Sequence, residues 1–282
     1  MNINEIINQE YGTDKGFLFL IDLIRVKMPY FEINEDNLRT LIVEDMSIDQ
    51  FIRTGFTGIY QEGRNRIGIF TNMDENGNPY YEDVQLSNED LINTCLHEII
   101  HATTTEMGPE GIVLQGINLR QDNQDSFFIA LNEGITQMIT DDLLEVESDA
   151  YPFLKNFARQ IGCIIGKEKL IEMYSKHDCQ GIISALDNAY GKEIGLTLIQ
   201  EIYYFDQIQK GNMVDGGYFL GDKIQQQLIE LHDMTGKVDD GFDDLIITNE
   251  KANEYVSMLP GRFESIEKLG FSTKNIDEER KK

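Results

Sequence analysis

"TCLHEIIHATTTE", residues Thr94–Glu106, carries two of the four histidines of the chain, with a glutamate directly after the first. In an α-helix, positions i and i+4 lie about 40° apart on one face, one turn above the other. His97 and His101 can therefore aim their imidazoles at one point, as two ligands of a tetrahedral zinc ion. Glu98 lies about 60° around from His101, beside such an ion rather than on it. A carboxylate there can take a proton from a zinc-bound water, whose pKa the ion lowers to about 7. The plain alternative is an ordinary amphipathic helix with a buried, hydrogen-bonded histidine pair. The pentad needs a third ligand.

"LNEGITQ", residues 131–137, offers one in Glu133, with 31 residues between it and His101. That is enough chain to turn back and set two helices side by side. Two histidines and one glutamate form a standard catalytic zinc set, which leaves one position for water. Gly134 follows inside the same predicted helix, although glycine costs about 1 kcal/mol there relative to alanine. It suggests a packing or access requirement beside the ligand. Cys95 sits roughly 160° around the helix from His97 and is expected in the core, not on the metal.

The surroundings divide into two styles. Residues 14–28 look helical, stopping before Pro29. "LRTLIVED", "FTGIYQ" and "RIGIFT" read as strands between Leu38 and Thr71, the last two joined as a hairpin by "EGRN". "DENGNP" at 74–79 is a further turn. "SNED" at 87–90 supplies a capping box, Ser87 with Asp90 three residues on, for the histidine helix, which should end near "EMGPEG". "GIVLQGINL" suggests a short strand pair, and Asp125 or Ser126 can cap the helix that holds Glu133. Beyond Tyr151 the chain reads as successive helices, and "TKNIDEERKK" as a solvated tail. The expected architecture is α+β, with an N-terminal mixed or antiparallel sheet under helices and a mainly helical C-terminal part. The boundaries fall at 1–106, 107–275 and 276–282, with the site at the seam.

Composition excludes several roles. Hydrophobic residues make up 41 %, aromatics 10 % and charged residues 26 %, enough apolar mass for a real core. Fifty acidic against 24 basic side chains give a net charge of −26, which would repel nucleic-acid backbones and anionic lipid heads. Three cysteines with no C-x-x-C pair read as buried reduced thiols. No basic-then-apolar leader opens the sequence, and "GFLFLIDLI" is broken by Asp22 and too short to span a bilayer. The expectation is a soluble cytoplasmic protein that contacts neither nucleic acid nor membrane.

"HEIIH" followed by "LNEG" resembles the gluzincin clan of zinc metallopeptidases, both thermolysin-like enzymes and aminopeptidases. It is similar, too, to bacterial proteins with HE-x-x-H-A and LNEG-x-T. The likeness covers roughly residues 87–145. It implies a zincin-like fold, one zinc ion per chain held by His97, His101 and Glu133, Glu98 as general base, and a peptide or protein substrate. The connector from His101 to Glu133 is longer than in thermolysin, and "GPEGIVLQGINLRQDNQ" is the expected flap. The aminopeptidases' G-x-M-E-N segment is missing, which favours internal cleavage. Thermolysin-like enzymes hold the first histidine with an acid four residues after the ligand glutamate. Here Gln137 stands there, an amide that can still accept from an imidazole N–H, with Asp141 as a back-up one turn further.

"RIGIFT" at 66–71 is expected to be the sheet edge to which a substrate strand adds, an interior strand being the alternative. Tyr174, His177, Tyr190, Tyr203, Tyr204, Tyr218 and His232 are all available as oxyanion donors, and spacing selects none. "GGYFLGDK" at 216–223 lacks the ending of a phosphate loop, and "DDGFDD" at 239–244 reads as a solvated turn. Neither histidine outside the pentad has an evident partner. The reading is a zinc-dependent peptidase, with a zincin-like metal-binding regulatory or interaction protein without turnover as the alternative.

Overall fold

The computed structural model of the chain describes residues 2–73, 79–81, 86–122, 124–213, 220–238, 240–259 and 266–271. The turn expected at 74–79 and the tail therefore lie largely or wholly outside the described residues. The architecture is α+β, predominantly helical with two small sheets. No described helix is long and apolar enough to cross a membrane. The chain divides into two compact units, Met1–Gly116 with Ile139–Ser148, and Ile117–Met138 with Asp149–Lys282.

The first unit opens with α1 (Ile3–Tyr11) and α2 (Phe17–Lys27). The sequence pattern predicts no helix over residues 3–11, yet Asn2 and Glu5 form a capping box and Ile3, Ile6 and Ile7 bury one helical face. There follow α3 (Glu35–Leu38), β1 (Ile42–Asp45), α4 (Ile48–Thr54), β2 (Gly58–Gln61) and β3 (Arg66–Ile69). The expected hairpin forms between β2 and β3, its turn closed by Asn65 in the left-handed region at φ 50°. Asparagine tolerates that conformation, and here its amide also donates to Asn37 O and Thr40 Oγ1.

The strand order is β1–β3–β2, with β1 parallel and β2 antiparallel to the middle strand. This corrects one expectation. "RIGIFT" contributes the interior strand, paired on both sides, and the outer antiparallel strand is β2. Ile67, Gly68 and Ile69 are all buried, as a central strand covered on both faces requires. The unit continues with α5 (Asn88–Thr103) and the hairpin of β4 (Thr105–Met107) with β5 (Val113–Gln115).

The second unit begins with the small hairpin of β6 (Asn118–Gln121) and β7 (Gln124–Asp125). Next comes α6 (Ile129–Leu144), an unbroken helix that belongs to this unit through Met138 and to the first from Ile139. The remaining helices fall where the sequence predicts: α7 (Pro152–Ile165), α8 (Lys167–Ser175), α9 (Cys179–Tyr190), α10 (Gly195–Gln209) and α11 (Leu220–Thr235). A one-turn α12 (Phe242–Leu245) and α13 (Asn249–Met258) close the unit. Phe153, Phe157, Phe205 and Phe271 form an edge-to-face and stacked cluster in its core. Gln160 and Gln225 exchange amide hydrogen bonds at 3.2 and 2.8 Å in the same interior, so neither buried amide is left unpaired.

Candidate metal centre

The histidine helix is fixed at both ends. Ser87 Oγ accepts from Asp90 N at 3.0 Å, and Ser87 N donates to Asp90 Oδ2 at 3.1 Å, completing the predicted box. Leu91, Ile92, Cys95, Leu96, Ile99 and Ile100 bury the apolar face. At the far end the threonine run turns back on the last carbonyls: Thr104 Oγ1 donates to Ile100 O at 3.0 Å and Thr105 Oγ1 to His101 O at 2.7 Å. These bonds satisfy groups that a helix terminus otherwise leaves open. The negative end of the helix dipole thus lies within one turn of His101, where a cation is favoured.

His97 and His101 are 6 % and 5 % exposed, and their Nε2 atoms stand 3.1 Å apart with the rings at 76°. Two imidazoles on one tetrahedral zinc, with bonds of about 2.0–2.1 Å, would place these nitrogens roughly 3.3–3.4 Å apart. The observed separation fits that spacing. A direct N–H to N hydrogen bond between the rings would have the same separation, so the third group carries the distinction. One ligand atom from each of His97, His101 and Glu133 lies within 4.8 Å of the others. Two imidazoles and a carboxylate converging in this way suit a divalent zinc-like ion by number and chemistry.

The register that brings Glu133 there is visible in α5 and α6. Asn93 Nδ2, one turn before His97, donates to Asp141 Oδ1, two turns after Glu133, at 3.1 Å. Eight residues forward along one helix and eight back along the other, about 12 Å each way, lead from that bond to His101 and Glu133. The two helices therefore run in opposite directions. Glu133, Gln137 and Asp141, spaced by four, form one stripe on α6, and Gln137 is 1 % exposed. The carboxylate of Asp141 also accepts from Ser148 N and Oγ, at 3.2 and 2.8 Å.

Two glycines explain close approaches. A Cβ on Gly134 would fall 2.3 Å from Leu154 O, so α7 passes directly against α6 beside Glu133. The glycine of "LNEG" thus serves packing. A Cβ on Gly58 would lie 2.4 Å from Thr94 Cγ2 and 3.2 Å from Glu98 Oε1. The outer strand β2 therefore runs alongside the half-buried Glu98, a placement that sequence reasoning missed because a glycine in a hairpin carries no sign of what crosses it. Cys95 is wholly buried, and burial, reinforced by the Glu98 charge, drives its thiol well above the ordinary range. It stays protonated in the core, as expected. Asp206 on α10 is buried, and that burial raises its pKa. The ion pair with Lys210 at 2.7 Å opposes the rise, and the negative charge of Glu133 adds to it.

Of the proposed oxyanion donors, Tyr174 is fully buried with its hydroxyl 2.7 Å from Thr136 Oγ1. Tyr218 lies outside the described residues. The expectation that His232 lacks a partner is overturned. Its Nε2 lies 3.1 and 3.0 Å from the two carboxylate oxygens of Asp240, and its ring stacks on Phe242 at 3.9 Å. "DDGFDD" is accordingly more than a solvated turn: Phe242 is 1 % exposed and opens α12.

No protein family, curated protein or solved structure matches the chain.

Proposed function

We propose that the chain is a gluzincin-like zinc-dependent peptidase that cleaves within polypeptides. The carrying observation is the convergence of His97 Nε2, His101 Nε2 and the Glu133 carboxylate, with Glu98 on the same helix beside an outer strand. His97, His101 and Glu133 would hold a zinc ion, which would supply Lewis acidity and lower the pKa of water to about 7. Glu98 is the general base, receiving the proton of the attacking water and handing it to the departing amine. The outer edge of β2 can accept an extended substrate, main chain to main chain, next to Glu98. Gln137, four residues beyond Glu133, is the candidate to orient an imidazole.

Replacing Glu98 with Gln separates this reading from a metal-binding regulatory protein without turnover. The variant is expected to keep about one zinc per chain while losing about 10²–10⁴-fold of its peptide-library cleavage, the usual contribution of a positioned base. Unchanged cleavage by the variant, or wild-type protein that carries zinc and cleaves nothing, would overturn the proposal.

A further inference from the structure

A cavity of about 510 Å³ lies in the second unit, far in sequence from the histidine pentad, where the end of α7, the start of α8 and the segment after α11 meet. Among the described residues, Arg159, Lys167 and Lys237 line it with one acid, Asp240. In a chain with 24 basic and 50 acidic residues, this is a local reversal of charge. Asp240 is engaged with His232, which limits its repulsion of an anion. Lys237 is held in place, since Nζ donates to Cys163 O at 2.6 Å and to Ile164 O at 3.0 Å. An ammonium has three protons, so a third remains for a ligand. Met138 and Leu245 supply apolar wall.

We propose that this cavity binds a small amphipathic carboxylate, its head at Arg159, Lys167 and Lys237 and its aliphatic part against Met138 and Leu245. The volume falls within the range of small-molecule sites, about 300–1,000 Å³. A guanidinium matches a carboxylate with two parallel hydrogen bonds. The apolar wall disfavours a small dianion such as phosphate. The cations that define this site, Arg159, Lys167 and Lys237, are far in sequence from the pentad and Glu133, and only the wall residue Met138 shares α6 with Glu133.

Calorimetric titration of the full chain with octanoate, 1-octanol and inorganic phosphate tests it. Octanoate should bind at one site, at least tenfold tighter than either of the other two. Arg159→Gln and Lys167→Gln should each weaken it at least fivefold. Octanoate should also slow alkylation of Cys163, which shares the cavity wall, in the unmodified protein. Octanoate no tighter than octanol or phosphate, unchanged affinity in both variants, or no protection of Cys163 would each overturn the proposal.

Discussion

The chain holds two contrasting histidine arrangements. In α5, two imidazoles turn their Nε2 atoms toward one point 3.1 Å apart, and a carboxylate from another helix joins them. At the end of α11, His232 gives its Nε2 to Asp240 and its face to Phe242. The second arrangement is closed, because its carboxylate lies eight residues along the chain and its ring is stacked. It latches the 232–242 segment to the helix. The first brings two imidazoles and a carboxylate within 4.8 Å of one another.

The largest expected effect breaks that comparison outright. His101→Ala should reduce zinc from about one per chain to near zero and abolish hydrolysis, whereas His232→Ala should leave zinc content and hydrolysis intact and lower only Tm. Elemental analysis and a peptide assay on both variants decide it. Equal zinc loss in the two would erase the distinction.

The next effect concerns the helix that brings Glu133. Gly134→Ala places a Cβ 2.3 Å from Leu154 O and should destabilise by about 1–3 kcal/mol, the usual cost of overpacking. Gly162→Ala, inside α7, meets its nearest neighbour at 3.6 Å. It should be neutral or stabilising by up to about 1 kcal/mol through helix propensity. Urea unfolding of the two variants gives the contrast, and a tolerated Gly134→Ala would remove the packing explanation.

The smallest effect is electrostatic. Burial pushes the Asp240 carboxyl upward, but the His232 bond and the Phe242 backbone N–H outweigh it and leave its pKa lowered. A carboxyl depressed in the folded state contributes stability above its unfolded pKa, about 3.9, and loses it as pH falls through the folded value. Asp240→Asn should therefore lower Tm slightly at pH 7, with the difference vanishing at pH values below the ordinary carboxylate range. A gap in Tm that persists in acid would show that the carboxylate charge is not what holds the latch.

These contrasts mark what the sequence makes legible. The capping box at Ser87, the i, i+4 histidines, the β2–β3 hairpin and the helices after Tyr151 are local patterns, and each forms where local chemistry places it. The glycine after Glu133 was also readable as a close approach. Sheet order was not. "RIGIFT" has the same alternation whether it pairs on one side or two, and only the parallel docking of β1 from 24 residues upstream makes it interior. The helix α1 was hidden because three isoleucines among polar residues give a thin apolar stripe. His232 escaped because Asp240 reaches it only after a glycine in the left-handed region, Gly236 at φ 66°, turns the chain between them.

The central claim is that two helices present a His₂Glu set to one divalent ion. X-ray absorption at the zinc edge on untagged protein reads that set directly. The account predicts about one zinc per chain with only nitrogen and oxygen neighbours at about 2.0–2.2 Å, two of them imidazoles. Failure to retain zinc, or a sulfur neighbour near 2.3 Å, would contradict it.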